Sequence, residues 1–400
     1  MKILIISQYF YPEQFQINEI APELVRRGYQ VTVLCGTPNY PQGVIFEGYE
    51  DGKRSLEVLD GVHVIRVKQC PRGKGPFRLL ANYYSFVRSA NKAVKELEND
   101  YDVVLAYQLS PVTSSLPSIK YKHRNKVPVL LYCLDIWPES AQTHLGILKG
   151  LLYGFVRNLS KKVYLNSDRI LVTSRPFIEY LQKENDVPLD RIEYLPQHAD
   201  ASLLKMNLSA EENGVADFMF AGNIGKGQHL ETVVEAAELL GKRSDYKVHI
   251  VGDGSRRVAI ERLVEEKGLQ ANFIFYGNQK RADMPLFYKK ADVMLVLLRQ
   301  VNAVGLTMPG KLQTYMTLHK PIFGAINGAA KEVIEESRCG SCVQAQDANS
   351  LAAIMRHYIE HPCDYSHCGT YAEKYFLEHF TLDKFADQLE NELKKLIKKS

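Results

Sequence analysis

Asp217-Phe-Met-Phe-Ala-Gly-Asn-Ile-Gly-Lys-Gly-Gln-His229 decides how the rest of this chain is read. Its first five residues suit a strand, the next block sets Gly222, Gly225 and Gly227 around Lys226, and a helical pattern follows. That order builds an anion cradle. Glycines let a backbone approach a ligand closely, a helix N-terminus offers unpaired N–H groups, and Lys226 adds a full charge where a diphosphate would sit. The segment is neither GxxxxGK[ST], since Gln228 follows Gly227, nor GxGxxG, so a Walker loop and a dinucleotide fingerprint are both disfavoured. A glycine-bearing strand-to-helix turn without a ligand remains the plain alternative.

Working outward, short apolar runs alternate with helical patterns. The first half holds Lys2–Ser7, Gln30–Cys35, Val62–Val67, Val103–Tyr107, Val129–Leu134, Arg169–Thr173 and Arg191–Leu195. The second holds Asp217–Ala221, Lys247–Val251, Asn272–Tyr276, Asp292–Leu298, Pro321–Ala325 and Ser341–Gln344. Strands apolar throughout, each followed by a helix, mark parallel sheets covered on both faces. Two such series in 400 residues predict two doubly wound α/β domains, over 1–196 and 197–378, with Pro196–Asn213 as linker. A last helix, Leu382–Lys399 within the segment 379–400, carries Phe385, Leu389, Leu393 and Leu396 on one stripe and packs back on the first domain. Ligands of such sheets bind beyond the carboxyl ends of the strands, so residues just after each run are the candidates.

Composition excludes several classes. Apolar content of 46% and charged content of 24% are those of a soluble globular protein. Met1-Lys-Ile-Leu-Ile-Ile-Ser7 reads as a strand and not a signal peptide, and no apolar run reaches the ~20 residues of a membrane span. A cytoplasmic protein is expected. Seven scattered cysteines make no disulfide framework. Cys339-x-x-Cys342 and Cys363-x4-Cys368 beside His361 and His367 invite a zinc reading, but the second spacing is wrong for it. The net charge of +4 is concentrated at Arg66, Lys68, Arg72, Lys74, Arg78, Arg88 and Lys92, a stretch without an acid. Phe77, Leu79, Leu80, Tyr83, Tyr84 and Phe86 interleave with these cations, which suits an anionic lipid surface, as does a plain surface helix with aromatics in the core. No nucleic-acid motif accompanies them.

Five post-strand segments together resemble the retaining glycosyltransferases of family 4, which have the GT-B fold. They are Met1-Lys-Ile-Leu-Ile-Ile-Ser-Gln-Tyr-Phe-Tyr-Pro-Glu13, Leu134-Asp-Ile-Trp-Pro-Glu-Ser140, Phe220-Ala-Gly-Asn-Ile-Gly-Lys226, Val251-Gly-Asp-Gly254 and Pro309-Gly-Lys-Leu-Gln-Thr-Tyr-Met316. Within the family the likeness is strongest to bacterial O-antigen and capsule enzymes that move aminodeoxysugars such as N-acetyl-L-fucosamine. The resemblance implies two domains facing a cleft, a UDP-sugar donor on the second and a polyprenyl-diphosphate-linked saccharide acceptor on the first. It also implies retention of configuration and a peripheral place on the inner face of the plasma membrane. An epimerase of the same fold acting on UDP-sugar alone, and a non-catalytic transferase-like partner subunit, are the rival readings.

Without a metal or other cofactor, such a transferase needs cations and backbone dipoles at the leaving diphosphate. Lys226 and Lys311 are the candidates, with Gly222, Asn223, Gly225 and Gly252 lining the donor loops. The family commonly has an arginine where Asn223 stands, and Lys311 would supply the missing charge. Its pair of glutamates seven residues apart is absent. Thr314 occupies the second place, and Asn302 is a looser match to the first. Asp135, at the end of its run, would contact the transferred sugar or receive the acceptor proton; a helix N-cap is the competing role. Trp137 is expected to pack at the domain edge. Arg72, Lys74 and Arg78 would meet the acceptor's membrane surface. Asp100-Tyr-Asp102 fits the metal-binding DxD pattern but precedes its strand, and Gly252-Asp-Gly254 is also explained by a tight turn.

Overall fold

The computed structural model describes residues 1–141, 149–210, 213–300 and 305–399. They divide into two units, Met1–Pro196 with the C-terminal helix, and Gln197–Thr381.

In unit 1 the chain runs β1 (Lys2–Ile6), α1 (Ile17–Arg26), β2 (Gln30–Gly36), β3 (Leu56–Leu59), β4 (Val62–Val67), α2 (Pro76–Glu96), β5 (Val103–Gln108) and α3 (Leu116–Asn125). It continues with β6 (Val129–Cys133), α4 (Lys149–Asn166), β7 (Arg169–Val172), α5 (Pro176–Asn185) and β8 (Ile192–Tyr194). The sheet order is β3-β4-β2-β1-β5-β6-β7-β8, and every pairing but β3–β4 is parallel. Strands β5 and β6 are buried at every residue, as a sheet covered on both faces requires.

β3 is absent from the apolar runs of the sequence because it is a half-exposed edge, with Leu56 and Val58 outward. Its signal lies in the turn. Asp60 and Gly61 both have positive φ (48° and 80°), the two-residue hairpin geometry that Asp-Gly favours.

Unit 2 runs β9 (Ala216–Ala221), α6 (Glu231–Leu240), β10 (Tyr246–Val251), α7 (Arg257–Glu266), β11 (Phe273–Gly277), α8 (Met284–Tyr288) and β12 (Val293–Leu297). Then come α9 (Gly310–Met316), β13 (Ile322–Ala325), α10 (Ala329–Ser337), β14 (Gly340–Val343), α11 (Ala348–Glu360) and α12 (Cys368–His379). Its parallel sheet has the order β11-β10-β9-β12-β13-β14, the doubly wound order with its switch point at β9 and β12. Phe218, Phe220, Val248, Ile250 and Phe323 fill one side of this sheet, and Met219, Met294, Tyr315 and Ile322 the other.

One expectation changes. The segment read as a linker from Pro196 to Asn213 is packed into unit 2. There Leu208 is buried, Ala199 N donates to Phe380 O at 2.9 Å, and Gln313 donates to the Gln197 carbonyl. Apolar Leu203, Leu204 and Leu208 explain why it does not run free. The last helix, α13, spans Leu382–Lys399, the bounds expected from its stripe. Its Phe385, Leu389, Leu393 and Leu396 join the core of unit 1 with Ile3, Leu24 and Tyr132. Polar contacts frame that seam: Arg27 reaches Asp387 at 2.7 Å and Glu390 at 3.1 Å, and Arg169 reaches Glu392 at 2.5 Å.

Candidate functional site

The loop 222–230 leaves β9 at the switch point and enters α6 at Glu231. It is held from beneath by the turn after β10. Gly222 N donates to Val251 O at 2.9 Å, Ile224 N to Asp253 O at 2.8 Å, and Arg256 N to Ile224 O at 3.0 Å. The two loops lie so close that a Cβ on Gly252 would stand 1.9 Å from Gly222 O, and one on Gly254 would stand 2.5 Å from Ile224 O. Both glycines have positive φ as well (134° and 157°). Gly252, expected at the donor, therefore has a packing reason for being glycine.

Above that support the backbone is open. Among the described residues, the N–H groups of Asn223, Gly225, Lys226 and Gly227 meet no acceptor at hydrogen-bonding distance. Gly222, Asn223 and the Lys226 side chain are exposed, and Lys226 has no acidic partner among the described residues. Unpaired N–H groups beside a free ammonium are the components of an oxyanion site.

Lys311 comes to this loop from the first turn of α9. Its Nζ lies 3.8 Å from the centroid of the Phe220 ring, donates to Gln228 Oε1 at 2.7 Å, and would stand 3.1 Å from a Cβ on Gly222. A side chain at Gly222 would press on the ammonium. No carboxylate pairs with Lys311 among the described residues, and desolvation pushes its pKa down to about 7. Burying a cation against a ring and an amide without a counter-charge is costly, and an arriving anion would relieve that cost. Thr314, one turn further on α9, bonds weakly back to Gly310 O at 3.4 Å. Asn302 lies outside the described residues.

The sequence reading passed over Arg299. It follows β12 directly, the other strand of the switch point, and its N–H donates to Gly227 O at 2.7 Å. Its exposed side chain has no acidic partner among the described residues, so a third cation is carried by a residue whose backbone is bonded to the loop. The rule that singled out post-strand residues would have found it.

In unit 1, Asp135 follows β6. Its carboxylate accepts from the hydroxyls of Ser110 and Ser140, and its carbonyl accepts from Gln108 Nε2 at 2.9 Å. Two serine hydroxyls, not the backbone N–H groups of a helix start, are its partners, so the N-cap role is not the one adopted. The Trp137 indole N–H donates to Ser110 Oγ at 2.9 Å, which ties the single tryptophan to the same carboxylate.

The basic stretch separates into parts. Arg66 leaves the surface: its side chain is buried, paired with Glu57, and donates to Arg54 O at 3.0 Å and Tyr11 O at 2.9 Å. Arg72 is half-buried, 5.3 Å from the centroid of the Tyr40 ring. Lys74 and Arg78 are exposed. Of the large apolar and aromatic residues on α2, Phe86 enters the core, but Phe77, Leu80 and Tyr84 stay 85%, 61% and 69% exposed. They recur every three to four residues and form one outward stripe.

Asp100 and Asp102 are at the amino end of β5, where both bond to Lys2, its side chain and backbone N–H respectively. Among the described residues, no three His, Cys, Asp or Glu side chains are grouped to hold a metal. Cys339 is buried and Cys363 exposed.

A doubly wound domain with an open, cationic loop at its switch point, joined to a second such domain, is the two-domain architecture that the comparisons with known proteins also find. Two family models match the chain: Glycosyltransferase Family 4 over residues 15–203, and Glycosyl transferases group 1 over residues 206–375. The chain belongs with these glycosyltransferases, each of its two units carrying one of their domains. WcaI of Escherichia coli K12, named as a colanic acid biosynthesis glycosyl transferase, is 24% identical over 96% of this chain and 97% of its own. WbjE of Pseudomonas aeruginosa, named as a glycosyltransferase, is 24% identical over 68% of this chain and 70% of its own. The solved structure of HepE from Anabaena in complex with UDP superposes with a TM-score of 0.73 at 14% identity, covering 99% and 100% of the two chains. The fold is GT-B.

Proposed function

We propose that this enzyme transfers a sugar, an N-acetylated aminodeoxyhexose, from a UDP-sugar to a polyprenyl-diphosphate-linked saccharide during surface-polysaccharide assembly, with retention and without a metal. The observation that carries the reading is Lys311, an ammonium without a carboxylate partner among the described residues, pressed against Phe220 and Gly222 at the switch point of unit 2. With Lys226, Arg299 and the open N–H groups of 223–227, it offers a departing diphosphate several donors fixed in advance. Donors that need no reorganisation stabilise the charge as the glycosidic bond breaks. Relatives agree in kind: WcaI is named for colanic acid biosynthesis, and HepE has been solved with UDP-glucose. Asp135, fixed by two hydroxyls in unit 1, is assigned to the sugar and acceptor hydroxyls. The stripe of Phe77, Leu80 and Tyr84 with Lys74, Arg78 and Arg88 around it suits an anionic membrane, peripheral on the inner face of the plasma membrane.

The test is UDP release from a panel of UDP-sugars, with and without lipid-linked acceptors, in EDTA. Release that depends on one donor and one acceptor supports the proposal. Turnover of a UDP-sugar alone selects an epimerase, and UDP binding without any turnover selects a non-catalytic subunit. Loss of transfer in EDTA with rescue by Mn²⁺ refutes the metal-free route.

A further inference from the structure

The two arginines that flank the end of β4 have opposite surroundings. Arg66 is buried against Glu57, so its charge is used within the protein. Arg72 has no carboxylate within ion-pair distance among the described residues, yet it is half-buried against the Tyr40 ring. A guanidinium is charged at every accessible pH, and a partly desolvated one without a counter-ion is an incomplete site.

The protein holds this incomplete site firmly. Arg72 N donates to Asn39 Oδ1 at 2.8 Å. Asn39 is fully buried; its N–H donates to Glu13 Oε1 at 2.8 Å, and its amide donates to Thr37 O at 3.0 Å. Asn82 donates to Cys70 O at 2.6 Å, two residues before Arg72, and accepts from Gln8 Nε2 at 2.8 Å. This chain of buried amides ties the turns after β1, β2 and β4 to α2. Tyr40 is fixed in turn by ring contacts with Tyr9 at 5.5 Å and Phe15 at 5.4 Å.

The second observation is Tyr9. It is 2% exposed, and its hydroxyl has no partner at hydrogen-bonding distance, although Arg72 is near enough to pull its pKa down against the rise that burial imposes. Gln8 Oε1 beside it and Gln108 Oε1 are buried acceptors without a donor. Tyr83, on α2, feels the charges of both Arg72 and Asp135, so the three groups border one region at the switch point of unit 1, beyond β1 and β5. A buried phenol O–H and a planar guanidinium fork are both donors to oxyanions, whereas the amide acceptors suit hydroxyls.

We propose that Arg72, with the Tyr9 hydroxyl, forms an oxyanion subsite that reads an acidic group on the acceptor, a phosphate or a carboxylate next to the hydroxyls held near Asp135. The proposal rests on the acceptor-binding reading of unit 1. It removes Arg72 from the membrane surface, which is left to the residues of α2 and Lys74.

Trp137 supplies a reporter that needs no turnover, since the single indole is bonded into the Ser110–Asp135 pair. Its fluorescence is titrated in the full-length protein with three probes: a short-chain prenyl diphosphate, methyl glucuronide and methyl glucoside. One anionic probe should bind at least about tenfold tighter than the neutral one. The prenyl diphosphate as winner assigns the acidic group to the lipid linkage, and the glucuronide as winner assigns it to the saccharide. Arg72→Gln should erase the preference, Arg72→Lys should keep part of it, and Lys53→Gln, at an exposed lysine with no role in the site, should leave it intact. Arg72→Lys keeps the charge should Arg72→Gln fold poorly, and thermal unfolding of each variant checks this. Wild type that binds neither anionic probe, or Arg72→Gln and Arg72→Lys that both bind like wild type, overturns the subsite. Transfer to an acceptor carrying the acidic group at an unchanged rate in Arg72→Gln would overturn it while leaving the transferase reading in place.

Discussion

Lys311 makes a donor-binding prediction with a sign and a size. Its pKa is pushed to about 7 by burial against Phe220 and Gly222. A diphosphate beside the ammonium would restore the charged form toward the ordinary lysine value near ~10.4. UDP binding must then take up protons above neutrality. At about pH 8 the free enzyme carries roughly 0.1 proton on Lys311 and the complex about one, so uptake is roughly 0.9 proton per UDP. Affinity should fall by roughly fiftyfold between about pH 7 and pH 9, equivalent to about 2.3 kcal/mol. Calorimetry of UDP binding in two buffers of different ionisation enthalpy reads the uptake directly. Lys311→Met should abolish both the uptake and the pH dependence and should weaken binding at neutral pH by about 1.5–3 kcal/mol. Folding supplies a second sign. The unfolded chain holds a proton on Lys311 that the folded protein releases above pH 7, so the lysine's contribution to stability rises with pH from about 7 to 10. Equal heats in both buffers, or uptake that survives in Lys311→Met, would refute the reasoning.

Three further outcomes are expected. Asp135→Asn keeps the volume but cannot accept both serine hydroxyls as the carboxylate does; kcat should drop at least about tenfold, about 1.4 kcal/mol, with UDP affinity unaltered, and an unchanged rate would leave Asp135 a local brace. Leu80→Glu with Tyr84→Glu, on the exposed stripe of α2, should reduce sedimentation with anionic vesicles, and higher salt should weaken what remains of the attraction from Lys74, Arg78 and Arg88; equal sedimentation of variant and wild type would make the stripe a solvated face. Burial lifts Glu13 to about 7 despite its bonds from Asn39 and Tyr40 N–H. The folded state therefore binds the extra proton between about pH 4.5 and 7, and stability falls as pH rises through that window; urea midpoints for Glu13→Gln should lose this slope.

Strand recognition from sequence succeeded where a run is buried on both faces. Val129–Cys133 and Val293–Leu297 show uninterrupted apolar character because helices cover both sides of each sheet. It failed at β3, whose Leu56 and Val58 face solvent from an edge, and where only Asp60-Gly61 announced the hairpin. The turn at 222–227 was legible because three glycines between an apolar run and a helical pattern stand out locally. Gly252, in the neighbouring loop, proved to serve loop-to-loop packing, and Arg299 was passed over although it too follows an apolar run.

By itself, the sequence determined two parallel sheets, the strand ends where ligands belong, and the stripe on α13, all of which follow from local periodicity. Only the tertiary structure decided which charges are free. Arg66 and Arg72 are indistinguishable as letters, yet one is neutralised by Glu57 from a neighbouring strand and the other lies over a tyrosine ring with no carboxylate partner among the described residues. Lys226 and Lys311 likewise read alike, but Lys311 alone is pressed onto a ring far away in the chain and shifted toward neutrality. A lysine's pKa and an arginine's partner depend on what long-range packing places within a few ångströms, and no local pattern encodes that distance.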